Sequence, residues 1–336
     1  MTATATPLQP TSSADQPLLS VRDLRVTFAR QGETPFRAVD GVSFDVRPGQ
    51  TVGLVGESGC GKSVTSLAIM GLLPKRGNTV EGTASFEGTN LLELDEREMR
   101  DRRGRDIAMI FQDPLSSLNP VVAVGLQVTE VLERHRGMSR KAARPLARDL
   151  LQRVGIPDPD RRLKDYPHQM SGGMRQRALI AMALACAPRL LIADEPTTAL
   201  DVTIQAQILA LLKELVQETG TALVMITHDL GVVAGLCDEV NVLYAGRIVE
   251  RGRRHELFAD PRHPYTNGLL GSIPRLDAPR GERLTPIPGS VSDNLPWDHA
   301  CAFAPRCPNA IDVCTTTAPV LEESATRALR CHNPVR

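Results

Sequence analysis

One glycine-rich stretch of this sequence has the residue types and spacing that hold phosphate groups. It consists of Gly56, Glu57, Ser58, Gly59, Cys60, Gly61, Lys62 and Ser63. It follows an apolar run and opens a helix-prone one, so backbone N–H groups can curl around phosphate oxygens at a helix N-terminus. Lys62 is suited to neutralising the β- and γ-phosphates of ATP, and Ser63 to binding Mg²⁺. We therefore predict a phosphate-binding loop, the alternative being a glycine-rich turn that matches by chance.

Two carboxylates follow a second apolar run. Asp194 ends the run Leu190–Asp194, and Glu195 comes next. Asp194 is placed to hold Mg²⁺ through water, and Glu195 to polarise an attacking water molecule. Acidic residues often end strands, so the pair gains its meaning from the phosphate-binding loop upstream.

A Ser–Gly–Gly turn is a second candidate anion site, separate from the first. Ser171, Gly172 and Gly173 precede a helix-prone segment. A helix N-terminus with a hydroxyl group and small residues is suited to anions. A simple N-cap of a buried helix would explain the serine but not the two glycines.

These motifs alternate with segments of strand and helix character. Apolar runs predict strands at Ser43–Val46, Thr51–Val55, Ile107–Phe111, Leu190–Asp194, Ala222–Thr227 and Val240–Tyr244. Helical patterns lie at Gly61–Leu73, Ser171–Ala187 and Val202–Glu218. The alternation predicts an α/β core with a mainly parallel sheet.

The remaining segments differ from this core in composition. Residues 1–17, rich in Thr, Ala, Pro, Ser and Gln, predict a disordered tail. The stretch from about 115 to 170 is charged and without strand signals, which predicts a helical insertion. Beyond Arg253, frequent prolines interrupt any long helix and predict a small irregular C-terminal domain.

The charge balance argues against an anionic macromolecule as the main partner. The 336 residues carry 39 basic and 39 acidic side chains, which gives no electrostatic case for nucleic acid or an anionic bilayer. The sequence shows no secretory signal. Its longest strongly apolar run, Ala178–Ala187, is too short to cross a bilayer. Work at a membrane would therefore require docking on a partner that spans it.

In its ordered motifs the sequence resembles the ABC ATPases. The Ser–Gly–Gly turn matches the start of the signature of that family. Other matching residues occur in the family's order, namely Phe28, Gln112, Asp201 and His228. The resemblance implies an α/β fold, a P-loop NTPase core of the ABC ATPase type over residues 18–257. It also implies a β-rich subdomain and a helical signature subdomain at about 115–170.

The resemblance implies a role for each matching residue. Phe28 would stack on adenine, Gln112 would bind Mg²⁺ and sense the γ-phosphate, and His228 would hydrogen-bond the γ-phosphate. Asp201 would link two sites across a head-to-tail dimer. In such a dimer each ATP lies between the phosphate-binding loop of one subunit and the Ser–Gly–Gly turn of the other. Taken singly, these residues have ordinary alternatives: a core aromatic, a loop residue or a helix cap.

Cys60 lies inside the predicted loop. Because it is near a helix N-terminus, the pKa of its thiol should be lowered. We accordingly expect alkylation of Cys60 to block hydrolysis, with bound ATP protecting against it. A small filler residue is the alternative.

Four of the seven cysteines crowd the end of the chain: Cys301, Cys307, Cys314 and Cys331. Without an export signal the compartment is reducing, which leaves metal ligation or scattered structural thiols as interpretations. The spacing matches neither zinc ribbons nor the common ferredoxin patterns. With His263–Thr266 and Ile287–Ser290, the segment resembles the C-terminal extension of oligopeptide/dipeptide importer ATPases, here 258–336. That resemblance implies a [4Fe–4S] cluster on the four thiols, with zinc as the alternative.

Taken together, the resemblance implies the ATPase subunit of an importer of di- and oligopeptides, peripheral on the cytoplasmic face of the cell membrane. Its implied partners are a second, homologous ABC ATPase in a heterodimer, two membrane permeases and an extracytoplasmic solute-binding protein. Import of nickel or another small solute stays open as an alternative. A soluble ABC ATPase of translation or DNA repair is disfavoured by the single nucleotide-binding core and the neutral net charge. A regulatory subunit without hydrolysis is disfavoured by Glu195 and His228.

Overall fold

The computed structural model describes residues 16–29, 35–113, 117–198, 200–272, 286–291 and 299–335. Within these ranges the strands form two sheets, one of four strands and one of eight. The expected disordered tail, residues 1–17, lies outside the described residues except for Gln16 and Pro17.

The smaller sheet is antiparallel and buries one face. Its strands are β1 (Leu19–Phe28), β2 (Phe36–Val46), β4 (Asn78–Phe86) and β5 (Thr89–Asn90), in the order β2-β1-β4-β5. The sequence predicted only the end of β2, Ser43–Val46. Strands with one exposed face mix polar and apolar residues, so they lack the continuous apolar run that marks a strand buried on both faces.

The larger sheet contains the strands that carry the candidate phosphate chemistry. Its strands are β3 (Thr51–Val55), β6 (Ile107–Ile110), β7 (Leu190–Asp194), β8 (Ala222–Thr227), β9 (Glu239–Tyr244), β10 (Arg247–Arg253), β11 (Glu322–Glu323) and β12 (Arg327–Leu329). The order is β11-β12-β10-β9-β3-β8-β7-β6. The segment from β9 to β6 is parallel, as predicted. The antiparallel edge formed by β10, β12 and β11 was not predicted.

Helices connect the strands and cover the larger sheet. They are α1 (Lys62–Ile69), α2 (Glu96–Arg102), α3 (Val124–Arg136), α4 (Arg140–Arg153), α5 (Pro159–Arg162), α6 (Gly172–Leu184), α7 (Val202–Thr219), α8 (Leu230–Leu236), α9 (Arg254–Ala259), α10 (Pro264–Gly271) and α11 (Asp312–Thr316). The three predicted helices correspond to α1, α6 and α7. Between β6 and α6, where an insertion was expected, the described residues form helices and no strand. No helix within the described ranges is long and apolar enough to cross a bilayer.

Two apolar clusters lie on opposite faces of the larger sheet. Val52 and Leu54 of β3 belong to the cluster shared with the smaller sheet, whereas Val55 belongs to the cluster that includes α6 and α7. Every residue of β3, β7 and β8 is buried. Because these strands are parallel neighbours, their carboxyl ends meet at one edge of the sheet, where ligands of open α/β sheets bind.

Candidate functional site

The glycine-rich loop Gly56–Ser63 joins β3 to α1. Lys62 is buried, and its Nζ donates hydrogen bonds to the carbonyl oxygens of Gly56 at 2.8 Å and Glu57 at 2.9 Å. Gly61 has a φ of 99°, and a Cβ there would lie 2.5 Å from the carbonyl oxygen of Ala38. Ser58 and Gly59 at the loop tip are exposed. The lysine therefore lies under an open, tightly turned loop, the arrangement that a phosphate cradle requires.

Ser63 meets the end of β7 next to this loop. Its Oγ donates a hydrogen bond to Asp194 Oδ1 at 3.0 Å. Burial, reinforced by repulsion from Glu195, raises the pKa of Asp194 above its ordinary value, against the opposing effects of Ser63 and Lys62. A hydroxyl and a carboxylate oxygen at this distance are suitable ligands for Mg²⁺, directly or through water.

Glu195 accepts hydrogen bonds from three different parts of the chain. Gln112 Nε2 lies 3.0 Å and Thr198 Oγ1 2.8 Å from its Oε2. The Nδ1 atom of His228 lies 3.1 Å from its Oε1. Burial alone would raise the pKa of Glu195, but the interactions with His228, Thr198 and Lys62 outweigh it and lower the pKa. The carboxylate is therefore held ionised and in a fixed orientation, as a group that aligns an attacking water must be.

The sequence predicted Gln112, Glu195 and His228 as a set, and the structure brings them together. It did not single out Thr198. The spacing could have indicated it, because in a turn the side chain three residues after Glu195 lies close to the Glu195 carboxylate. The Thr198 N–H donates a hydrogen bond to the Glu195 carbonyl oxygen at 3.1 Å and closes this turn.

The Ser–Gly–Gly turn begins α6. Ser171 caps this helix, since its Oγ accepts a hydrogen bond from the Met174 N–H at 3.3 Å. Ser171 and Gly172 are exposed. A Cβ at Gly173 would lie 2.8 Å from Cγ2 of Ile204 in α7, so close helix packing already explains that glycine. Among the described residues no hydrogen bond joins this turn to the loop Gly56–Ser63.

Two further predicted residues lie at the ends of elements. Phe28 ends β1, pairs with Phe36 of β2, is half-buried and packs on the core of the smaller sheet. Asp201 caps α7 by accepting a hydrogen bond from the Ile204 N–H at 3.0 Å. Cofactor roles for both stay predictions. His228 is not the cap of α8, because Asp229 fills that position.

The prediction of a low pKa for Cys60 is wrong. The side chain is fully buried beneath the loop. Its desolvation raises the pKa, and the nearby charge of Lys62 only partly offsets this effect. A Cβ at Gly56 would lie 2.8 Å from its sulfur. Cys60 is therefore a small packing residue under the loop, and alkylation in the folded protein should be slow.

The four C-terminal cysteines line one small cavity, together with His263, Phe303 and His332. All four cysteines are free thiols. Within the described residues, no three Cys, His, Asp or Glu side chains are arranged around a point as a single metal ion requires. Four cysteine thiols are a donor set that iron–sulfur clusters use, and a [4Fe–4S] cluster on these four stays a prediction.

Comparison with known proteins gives the same picture. Residues 39–198 match the model of the ABC transporter family, and residues 249–314 match that of the oligopeptide/dipeptide transporter C-terminal region. The chain is 56% identical over 303 residues to the dipeptide transport ATP-binding protein DppD of Bacillus subtilis, covering 90% of each chain. It is 51% identical over 327 residues to the oligopeptide transport ATP-binding protein OppD of Salmonella typhimurium, covering 96% of this chain and 97% of the relative.

Solved structures agree in fold. A dimeric, post-hydrolysis structure of the ATP-binding cassette MJ0796 bound to ADP and Pi has a TM-score of 0.62 and 32% identity, and covers 70% of this chain and 98% of its own. The structure of cbiO1 from Clostridium perfringens, part of the transporter complex cbiONQ, has a TM-score of 0.60 and 27% identity over 73% of this chain and 92% of its own. The chain therefore belongs to the ATP-binding ATPase subunits of the ABC transporter family, in the group that carries the oligopeptide/dipeptide transporter C-terminal region.

Proposed function

We propose that this chain hydrolyses ATP to power import of di- and oligopeptides through membrane permeases. The main support for hydrolysis is the set of hydrogen bonds that Gln112, Thr198 and His228 make to Glu195. This set lies beside the hydrogen-bonded pair Ser63–Asp194 and the phosphate-binding loop. The peptide cargo is supported by relatives named for dipeptide and oligopeptide transport, which match over almost the whole chain.

Each side chain has a defined task in this proposal. The loop Gly56–Ser63 would hold the phosphates, with Lys62 turning from its carbonyl partners to the β- and γ-phosphates, and Phe28 would stack on adenine. Ser63, Asp194 and Gln112 would hold Mg²⁺, which supplies positive charge against the phosphate oxygens. Glu195 would accept a hydrogen bond from the attacking water, and His228 would bond the γ-phosphate. A bond forms from the water oxygen to the γ-phosphorus, while the bond to ADP breaks.

The complete site would lie between two ATPase subunits. The loop of one subunit would face Ser171, Gly172 and Gly173 of the other, with Asp201 linking the two sites. Two observations support this arrangement: no described hydrogen bond joins the two motifs within the chain, and a solved relative is a dimer. We propose a homologous, non-identical ATPase as the partner.

The membrane partners follow from the cargo. Two permease subunits and an extracytoplasmic solute-binding protein would complete the transporter, with this chain peripheral on the cytoplasmic face. The helical subdomain, at about 115–170, would provide the docking surface. The ATPase part would span residues 18–257 and the extension residues 258–336.

We assign the cysteine-lined cavity to a [4Fe–4S] cluster held by Cys301, Cys307, Cys314 and Cys331. The cluster would tie separate parts of the extension together and add a redox centre. Protein purified without oxygen should be brown and contain about four iron atoms per chain. A colourless protein with one zinc per chain would establish the alternative.

The hydrolysis assignment is tested by Glu195→Gln. Because the amide cannot accept a proton, turnover should fall at least about a hundredfold, while retention of labelled ATP on a filter stays normal. Glu214→Gln, on an exposed position of α7, is the matched control and should leave turnover unchanged. Full turnover in Glu195→Gln would contradict the assignment.

The cargo is tested with the assembled transporter in vesicles. Binding protein loaded with a dipeptide or a pentapeptide should stimulate ATP hydrolysis and internalise the labelled peptide. Stimulation by Ni²⁺ and not by peptide would transfer the proposal to nickel import. Recovery of the chain with ribosomes or DNA, without permeases, would refute transport altogether.

A further inference from the structure

An arginine of the extension reaches the phosphate-binding loop. Arg306 is 4% exposed. Its Nη1 and Nη2 atoms donate hydrogen bonds to Oε2 and Oε1 of Glu57 at 2.7 and 2.9 Å, a two-point contact with both carboxylate oxygens. Its Nε donates to the Pro288 carbonyl at 2.6 Å. The bond with Glu57 raises the pKa of Arg306 above its ordinary value, so the guanidinium stays charged.

A tyrosine of the extension holds the same loop residue by its backbone. The N–H of Glu57 donates to the hydroxyl of Tyr265 at 2.8 Å. The Tyr265 ring is fully buried and lies against Tyr244 and Phe303, with ring centroids 4.7 and 5.4 Å away. The hydroxyl is therefore fixed in position by a rigid aromatic group.

These contacts differ from those needed to bind phosphate. Glu57 is the second residue of the loop, and both its side chain and its N–H bond residues of the extension. Among the described residues, Glu57 is the only acidic partner of the Arg306 guanidinium. A bidentate pair in which the arginine is buried and the carboxylate is partly exposed fixes geometry more strongly than a pair with a single contact does.

We propose that Arg306 and Tyr265 are positioning residues for ATP hydrolysis: from the extension, they fix the phosphate-binding loop through Glu57 in its ATP-binding conformation. The inference rests on the proposed function of the loop and extends it. Loss of either contact lets the loop shift and weakens the cradle for the phosphates, so ATP affinity falls although no residue that touches ATP has changed.

The test measures kcat and KM for ATP in the full-length chain assembled with its transporter partners. Arg306→Met should raise KM about tenfold, and Arg306→Lys, which keeps the charge but not the two-point contact, should have a smaller effect. A variant that only unfolds some molecules lowers kcat and leaves KM unchanged. Combining Arg306→Met with Glu57→Gln should add little to the effect of Arg306→Met alone, because both remove one interaction.

Two further variants keep the test decisive. Tyr265→Phe removes only the hydroxyl and should raise KM even where Arg306→Met fails to fold. Arg327→Met is the matched control. Arg327 also joins the extension to the core, through Glu250, and it pairs with Asp260 within the extension. It does not contact the loop, so KM should stay at the wild-type value.

The outcomes separate this inference from the proposed function. If wild-type protein hydrolyses ATP and Glu195→Gln does not, while KM is unchanged in Arg306→Met and Tyr265→Phe, the positioning role is refuted alone. An equal rise in KM in Arg327→Met would also overturn it, because the effect would then belong to the extension as a whole. Hydrolysis unaffected by Glu195→Gln would refute the proposed function instead.

Discussion

Asp194 and Glu195 are adjacent carboxylates whose surroundings act in opposite directions. The pKa of Asp194 is raised, mainly because it is buried, whereas that of Glu195 is lowered, because its hydrogen bonds outweigh burial. Glu195 also has a φ of 46°, which is unusual for a residue other than glycine. Divergent surroundings of this kind are typical of carboxylates with different tasks. Here they favour a cation beside Asp194 and an ionised acceptor at Glu195.

A first prediction concerns the hydroxyl of Thr198. Thr198→Val removes one of the hydrogen bonds that lower the pKa of Glu195, so the folded-state pKa should rise. Because the ionised form is the active one, kcat should begin to fall at a higher pH as the solution is acidified. The pH profile of kcat measures this shift. Thr197→Val is the control, since no described hydrogen bond joins Thr197 to Glu195. If kcat falls at the same pH in both variants as the solution is acidified, the prediction is contradicted.

Residue types and spacing predicted part of the candidate site but not its contacts with distant segments. Lys62, Asp194 and Glu195 occur in motifs whose chemistry follows from the local sequence, whereas His228 was singled out only through the family resemblance. The burial of Cys60 and the contact between Arg306 and Glu57 depend on which distant segments pack against the loop. Arg306 lies between two cysteines in a proline-rich stretch, and no local pattern there indicates a buried ion pair.

Among the elements, those buried on both sides were predicted best. The bounds of β3, β7 and β8 agree with the apolar runs, since such strands must be nearly continuous in hydrophobic residues. The predicted helices start within one residue of α1, α6 and α7. The short strands β11 and β12 were missed. β12 pairs with β10, and β11 pairs with β12; this pairing depends on tertiary contacts and leaves little periodicity in the sequence.

A second prediction concerns the turn between β3 and α1. Gly56 has a φ of 153°, and a Cβ there would lie 2.2 Å from the Leu243 carbonyl oxygen. Gly59 has a φ of 81°, with nothing within 4 Å of a Cβ. Gly59→Ala should therefore cost about 1 kcal/mol of backbone strain, and Gly56→Ala about 3 kcal/mol, because backbone must also move. Urea unfolding without nucleotide measures both, and equal losses would contradict the argument.

A third prediction concerns the cap of α10. Burial lowers the pKa of His263 to about 3, although a hydrogen bond with the Arg330 backbone opposes the shift. The unfolded chain binds a proton near pH 6.5, whereas the folded chain does not, so stability falls as the pH drops below that value. At pH 5 the loss relative to pH 8 should be about 2 kcal/mol.

His263→Asn separates this effect from other titrations. The His263 Nδ1 accepts a hydrogen bond from the Tyr265 N–H at 3.0 Å, and asparagine can accept the same bond as a helix cap. Asparagine does not titrate, so the free energy of unfolding should depend less on pH between 5 and 8. If the free energy of unfolding depends on pH as strongly in His263→Asn as in the wild-type protein, His263 does not cause the loss of stability at low pH.

For the whole molecule, the division of the site between two chains gives a fourth prediction. In a pair of unlike ATPases, Lys62→Ala on this chain should remove the nucleotide at one site and Ser171→Arg the nucleotide at the other. Each single variant should then retain about one nucleotide per pair, and the double variant none. If both motifs served one site within the chain, the double variant would bind as much as either single one. Equilibrium filtration with labelled ATP counts the bound nucleotide.

The contact between Arg306 and Glu57 also sets an order in time. The two residues are 249 positions apart in sequence. At a synthesis rate of about 5–20 residues per second, the loop leaves the ribosome roughly 10–50 seconds before its arginine does. The core can fold during that interval, but the loop gains its last anchor only when translation is nearly finished. A chain cut short before Arg306 thus lacks that anchor even though every ATP-contacting motif has been made.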